Sequence, residues 1–509
     1  MDQTDDDAAG PAASSSSVTT AERVSSAPSS SPASSEETSD EARERERVSA
    51  LVGWCVSRGA TGSGLSVRLP DGTGRGRGLE TSRAIAEDEP VLSLPLAMGI
   101  CDERDGHPPD AWATMANAPW GVRLACRLLQ ERAKGDRSEW APYLALVPSR
   151  VPGSPLLFSD DEVLSLQYPP AVSEAREMRD AVARWHAKLA EECPGALAGA
   201  DVNAFKDAVS VVHSRTYGVA SGDSGEGYFR ALLPLADLLN HAGDEYPAEA
   251  SHASNPRRAN DASRVRKWPP SSSEDTIAWS VLNDDGTIVF AATRALEGPG
   301  AEATMSYGER SNDHFLMYYG FCPPRNPHDD AVVFSDVDHA LSWHMVYHPE
   351  LWDRGSEEEA SVREAAARAA VREVERSLSG SKDASLAEAE PRLKVLPGGR
   401  CDARLVSLFA AAYAGTDEGV EAGKQVMEQD LESAHADVAR RCAELLRQMP
   451  TTLAEDTSAP RAKEEEETEE TEGARAARAY RAHKKEVLVD AILELGRGKV
   501  ELPEGYGDA

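Results

Sequence analysis

Apolar residues along this chain change their spacing several times, and each change marks an expected element. Val48, Leu51, Val52 and Val56 recur three and four positions apart before Gly59, the spacing of one buried helix face, so a helix is expected from about Glu44. Short β-like runs follow at residues 65–69, 78–81 and 90–94, separated by glycine-rich turns. From about residue 110 to 215 the period is helical again: Val122, Leu124, Ala125, Leu128 and Leu129 share one stripe, and Val209, Val211 and Val212 help form another. Strand patterns return at 276–282 and 287–291, joined by Asn283-Asp-Asp-Gly286, where glycine supplies the positive φ of a hairpin turn. Beyond Asp330 the pattern is mainly helical, clearest at 361–377, 403–414, 420–448 and 474–495.

These changes divide the chain. Residues 1–46 hold twelve serines and almost no bulky apolar groups, too little buried surface to offset the entropy of ordering, so a disordered tail is expected. Residues 47–330 read as an α+β unit with a helical insert at about 110–215, and residues 331–509 as a second, all-α domain. Between Gly243 and Asp275 lies a polar, Ser-, Asn- and Pro-rich loop of about 30 residues, long for a connection inside a compact domain. The acidic run starting at Lys463-Glu-Glu-Glu-Glu reads as a solvated linker.

Charge and cysteine usage narrow the function. A formal net charge of -33 over 509 residues disfavours direct binding to nucleic-acid phosphates, which draws on clustered Lys and Arg, and favours a basic protein partner. The seven cysteines are scattered and never spaced as CxxC, which points to a reducing compartment and no structural zinc. No apolar run reaches the roughly 18 to 20 residues a membrane span needs. Residues 1–46 carry eleven acids against three arginines, unlike an acid-poor transit peptide, so organelle import is disfavoured and a cytoplasmic or nuclear location expected.

Several residues could carry chemistry. In Gly72-Thr-Gly-Arg75-Gly76-Arg77-Gly78-Leu79 the alternating glycines suit a tight turn, or a backbone cradle whose amides face a carboxylate. The run lacks the pattern of a dinucleotide or phosphate loop. Arg215 closes an apolar helix; it reads either as a satisfied cation or as a planar partner for a carboxylate. Asn240 and His241 end the apolar run from Leu232, where a lone His is usually a core residue but an adjoining Asn adds amide donors and acceptors for a ligand. Tyr307 follows Ala303-Thr-Met, and Tyr318, Tyr319 and Phe321 form an aromatic cluster, either core packing or a wall for an alkylammonium stem. His344 and His348 share a helix face but lack the Glu of HExxH, so no metal is expected.

Five of these pieces stand in the order seen in SET-domain protein methyltransferases, and the chain resembles the branch typified by the Rubisco large-subunit lysine methyltransferase. The matches are Gly76-Arg-Gly-Leu79 with Arg83-Ala-Ile85, Ser214-Arg215, Asp237-Leu-Leu-Asn-His241, Ser306-Tyr307 with Ser311-Asn312, and Tyr319-Gly-Phe321. The resemblance covers about residues 48–330. It implies an α+β SET fold of small β-sheets interrupted by a helical insert, in which the segment near Tyr307 passes beneath the loop from Asn240-His241 as a pseudoknot. It further implies that the helical region after 330 is a substrate-binding domain, matched best at Tyr480-Arg-Ala-His-Lys-Lys-Glu-Val-Leu-Val489. S-adenosylmethionine is then the implied cofactor, held by Arg75, Gly76, Arg77, Arg215, Asn240 and His241, with Tyr307 catalytic and Tyr319 and Phe321 lining the acceptor channel. The chain departs from the family after the long polar loop, where the local aromatic is Trp279 instead of Tyr. The implied substrate is lysine of a non-histone protein, with histidine methylation, or an idle SET-like scaffold, as alternatives.

Overall fold

The computed structural model describes residues 39–70, 76–102, 111–221, 227–242, 276–279, 286–353, 356–379, 391–414, 428–458 and 470–506. Arg75, the 243–275 loop, most of the expected hairpin turn and most of the acidic run lie outside these residues.

The first helix spans Ser39–Ser57, so the last part of the expected disordered tail is helical. Asp40 and Glu41 lie in its first turn, where carboxylates complement the positive end of the helix dipole. Val48, Leu51, Val52 and Cys55 then bury its apolar face. Strands β1 (Leu65–Arg68) and β2 (Gly78–Thr81) pair antiparallel, as do β3 (Pro90–Pro95) with β9 (Thr287–Ala292), β4 (Ile100–Cys101) with β6 (Gly227–Leu232), and β5 (Thr216–Ser221) with β6. Strand β8 (Ile277–Trp279) extends the β3-β9 pair, and β10 (Glu302–Met305) joins β2 to β7 (Asn240–His241), giving the order β1-β2-β10-β7.

The helical insert contains Trp120–Lys134, Pro169–Glu192 and Val202–Arg215. The last is capped by Asp201, whose carboxylate accepts from the Ala204 amide at 2.8 Å. These helices and the small sheets share one core that runs from Val48 to Met305.

A second core gathers the helices Glu357–Ser379, Ala403–Ala414, Glu428–Gln448 and Glu472–Gly496. Here the all-α expectation needs one correction: β11 (Ala331–Phe334), β12 (Leu393–Leu396) and β13 (Arg400–Cys401) form a three-stranded sheet. The runs are at most four residues long, and β11 is buried on both faces, so neither alternation nor a helical period marks it. This core also takes in Phe158, Tyr168 and Ala171 of the insert, and Leu316 and Met317 beside the aromatic cluster. No helix among the described residues is long and apolar enough to cross a membrane.

Candidate active site

The parallel pairing of β7 with β10 assembles the site. Asn240 stands opposite Thr304 and His241 opposite Met305, and the Ala242 amide donates to the Met305 carbonyl at 3.0 Å. Two segments more than 60 residues apart in sequence thereby run side by side where the sequence places the Asn-His and Tyr motifs. The approach to β7 is strained: Leu235, fully enclosed, adopts φ 69° and ψ -46°, near the unfavourable γ-turn geometry.

Tyr307 leaves β10 and turns back on β7. Its hydroxyl donates to the Leu239 carbonyl at 2.8 Å, and its backbone amide donates to His241 Nδ1 at 3.2 Å. Nδ1 is therefore the acceptor nitrogen, and a neutral His241 carries its proton on Nε2. Burial pushes the Tyr307 phenol well above its ordinary range, so it is un-ionised at neutral pH.

The aromatic wall forms around this residue. Tyr319 stacks on Tyr307 with ring centroids 4.9 Å apart, and Phe321 meets Tyr307 edge-on at 6.5 Å. Phe315, absent from the sequence reading, packs 4.6 Å from the His241 ring. Phe315–Tyr319 is a π-helical turn, a departure from α geometry often found at functional sites. Ser311 caps the short helix leading into it by accepting from the His314 amide. Phe321 is 37% exposed and marks the mouth of the cluster.

Trp279 takes a different place from Tyr319 and Phe321. It contacts Tyr217 edge-on at 5.7 Å, and Tyr217 stands between it and the β10 side of the site, with its hydroxyl donating to the Ala236 carbonyl at 2.7 Å and lying 3.1 Å from Met305 Sδ. Tyr217 follows Arg215 by two residues, and strand alternation from the helix end would have flagged it.

Arg215 reaches inward to Asp237. Its Nη1 donates to the Asp237 carbonyl at 2.9 Å and lies 3.3 Å from Oδ2, and the buried Tyr143 hydroxyl donates to the same oxygen at 3.0 Å. Burial pulls the guanidinium down, but Asp237 and Tyr143 more than reverse this, so Arg215 stays charged. Arg215 Nε and Asp237 Oδ1 remain buried without a hydrogen-bond partner in this structure.

On the glycine side, Arg77 pairs with Glu44 of the first helix and donates to the Leu146 carbonyl at 2.8 Å. Asn240 Nδ2 donates to Glu302 Oε1 at 2.9 Å and lies 3.4 Å from the Arg77 carbonyl. Gly76 is exposed, and an added Cβ there would meet nothing within 4 Å, so its backbone is open to a ligand.

The His pair after 340 has another role. His344 Nε2 lies 3.5 Å from Asp437 Oδ2, His348 Nε2 lies 3.0 Å from Asp437 Oδ1, and the three form a candidate ligand group. Trp352 Nε1, which can only donate, is 3.0 Å from His344 Nδ1. A neutral His344 therefore holds its proton on Nε2, the atom that faces Asp437 and would have to ligate. In that tautomer His344 turns a proton and not a lone pair toward Asp437, without a formed hydrogen bond in this structure, while His348 and Tyr413 bond Asp437 directly.

No family model matches the chain. Among curated proteins, the actin-histidine N-methyltransferase of Xenopus tropicalis is 26% identical over 306 residues, 58% of this chain and 46% of that protein. The Homo sapiens protein of the same name is 27% identical over 295 residues, 56% and 43% respectively. The matched region thus spans under half the length of these relatives. Among solved structures, the SET domain of LSMT bound to MeLysine and AdoHcy aligns with a TM-score of 0.56 at 14% identity, covering 90% of this chain and 94% of that one. Rubisco LSMT bound to AdoMet gives a TM-score of 0.56 at 15% identity, covering 90% and 95%. With small sheets around the β7–β10 pairing and a largely helical C-terminal region, the chain has the SET-domain fold in the form taken by the Rubisco LSMT structures.

Proposed function

We propose that this protein is an S-adenosylmethionine-dependent methyltransferase acting on a side-chain nitrogen of a protein, with lysine as the acceptor. The observation that carries the reading is Tyr307, held neutral, hydrogen-bonded to Leu239 and stacked on Tyr319 beside the Asn240-His241 pair. The cofactor, when bound, supplies a methyl group on a sulfonium, a leaving group that needs no proton.

The chain's part is then binding and alignment. The open backbone at Gly76, with Arg77, Asn240 and His241, forms the cofactor side. Arg215, anchored on Asp237, holds the turn that ends at Asn240 and is the cation proposed to face the carboxylate of the cofactor. Arg75 belongs to the same proposed cradle by its place in the glycine run. Because the Tyr307 proton is engaged by Leu239, the phenol oxygen is left to accept weak CH···O contacts and to orient the acceptor nitrogen. A neutral phenol is no base, so the amine must reach the site deprotonated or lose its proton to water.

The ring faces of Tyr307, Tyr319 and Phe321 suit the stem and ammonium of lysine before it sheds that proton. Trp279 packs on Tyr217, behind the rings that face Tyr307, so its proposed part in acceptor binding is to back the Tyr217 ring. A net charge of -33 favours a basic segment on the substrate protein. The second reading is histidine methylation, favoured by the names of the relatives.

Transfer of labelled methyl from S-adenosylmethionine into a cell extract, with mass spectrometry of the labelled residue, tests both. Label on lysine supports the proposal, and label on histidine replaces the acceptor while keeping the chemistry. A folded protein that binds no S-adenosylmethionine would leave the idle scaffold.

A further inference from the structure

Glu302 is absent from every motif discussed above, yet three strands of the site meet at its carboxylate. It stands on β10 opposite Glu80 of β2, five residues before Tyr307. Its Oε1 accepts from Asn240 Nδ2 at 2.9 Å and from Arg68 Nη2, on β1, at 2.9 Å. The same Arg68 nitrogen reaches the Gly76 carbonyl at 3.2 Å. One carboxylate oxygen thus joins the Asn240 amide to the glycine backbone proposed to cradle the cofactor.

Gly78 leaves room for this junction. A Cβ there would lie 2.8 Å from Asn240 Nδ2, 3.0 Å from Arg68 Nη2 and 3.3 Å from Glu302 Oε1. The glycine is required less for its backbone angles than because its missing side chain is the space in which the three groups meet.

The junction also fixes which way the Asn240 amide faces. Both neighbours of Nδ2, the Glu302 carboxylate and the Arg77 carbonyl, are acceptors only. The amide nitrogen must turn toward them, and the oxygen is left for a donor on a ligand. The mutual hydrogen bond is charge-assisted, so it resists a flip more strongly than a neutral one. Glu302 is 27% and Arg68 10% exposed at the side chain, which screens them only in part.

We propose that Glu302 is a positioning residue: it orients the Asn240 amide so that Oδ1 receives the α-amine of the methyl donor, and through Arg68 it holds the Gly76 carbonyl. This rests on the methyltransferase reading, and it names the group that gives Asn240 its selectivity.

The test compares two ligands on the full chain by calorimetry: S-adenosylhomocysteine and its counterpart lacking the α-amine. The unsubstituted protein should lose about tenfold or more in affinity when the amine is removed, the worth of one hydrogen bond to a charged group. Glu302→Ala should lose most of that preference, binding the amine-bearing ligand about tenfold more weakly while holding the amine-free one within about threefold. Equal weakening toward both ligands would make Glu302 a strut of the sheet only, and an unchanged amine preference would equally overturn the proposal.

Should Glu302→Ala fail to fold, the double replacement Arg68→Met with Glu302→Leu removes the ion pair as a unit, a change often tolerated when both charges go together, and carries the same comparison. Failure of the unsubstituted protein to bind either ligand would instead remove the methyl-donor reading and this inference with it.

Discussion

Replacing Lys484 with Met should unfasten the C-terminal helical region from the acceptor wall. Lys484 has no exposed surface; its ammonium lies 2.7 Å from Asp329 Oδ1 and 3.3 Å from Asp313 Oδ2, with the Asp330 carbonyl as a further acceptor. The Tyr480 and Tyr168 rings stand 5.4 and 5.9 Å away. Burial pulls the Lys484 pKa down, but the three neighbouring carboxyl groups more than reverse it and hold it well above its ordinary value.

Methionine keeps the stem and removes the charge. Breaking a buried pair by deleting one partner costs about 3–5 kcal/mol. The lower end applies here, because Asp329 Oδ1 still accepts from the Asn312 and Asp330 amides, each at 2.9 Å, and Asp313 keeps the Tyr480 hydroxyl. About 3 kcal/mol corresponds to a fall in Tm of roughly 6–12 °C for a folding unit of 150–250 residues.

The functional effect follows from the Asn312 bond. Asp329 anchors the helix start that runs into Phe315–Tyr319, so acceptor KM should rise while cofactor Kd stays within about twofold. Urea unfolding and steady-state kinetics measure the two effects. With its folded pKa raised, the lysine's contribution is fully present below the unfolded value near 10.4 and is lost only as pH climbs through the folded one, so the destabilisation should be flat from about pH 6 to 9. A loss under about 1 kcal/mol, or one varying strongly across that range, would refute the reasoning.

Three further outcomes are expected. Gly78→Ala, which drives a methyl into Asn240 Nδ2 at 2.8 Å, should weaken S-adenosylmethionine binding about tenfold or more by calorimetry, with Tm falling by a few degrees. Gly153→Ala places a Cβ 2.1 Å from the Gly320 carbonyl, at the end of the π-helical turn, so acceptor KM should rise severalfold with little change in cofactor Kd. His348 is pulled down by burial but held above its usual pKa by Asp437 and Glu350, while hydrogen bonds from His348 and Tyr413 take Asp437 below its usual range against burial. The histidine's contribution is present below about pH 6.5 and lost above its folded pKa; the aspartate's is present above about pH 3.9 and lost below. The Tm deficit of His348→Gln should therefore be greatest at about pH 4 to 6.5 and shrink on either side.

The residues most legible from sequence are those whose chemistry stands out against an apolar run: Asn240 and His241 after Leu239, Tyr307 after Met305, and Gly76 between two arginines. Their order along the chain is that of the SET-domain fold the structure has. Their partners were hidden, because each is set by a pairing far along the chain. Tyr143 reaches Asp237 across 94 residues, Asn240 reaches Glu302 across 62, and Arg68 reaches Glu302 across 234.

Lysines are seldom fully buried, and Lys484 and Lys485 are so because Asp329, Asp313 and Asp456 pair with them. Strand β11 is not legible in the sequence because its partner, β12, begins about 60 residues later and neither run exceeds four residues. The His344–His348 spacing without the Glu of HExxH leads sequence reading to expect no metal, and the tautomer of His344 becomes legible only from the Trp352 indole that donates to it.

The central claim is that Tyr307 aligns methyl transfer without holding the cofactor. Its most direct test is Tyr307→Phe, assayed for labelled transfer from S-adenosylmethionine in parallel with calorimetric cofactor binding. Loss of the Leu239 hydrogen bond and of the phenol oxygen should slow transfer by about 100-fold or more, the scale of a lost alignment, while cofactor Kd stays within about threefold. Transfer at the unsubstituted rate by the phenylalanine variant, with the cofactor bound as before, would contradict the account.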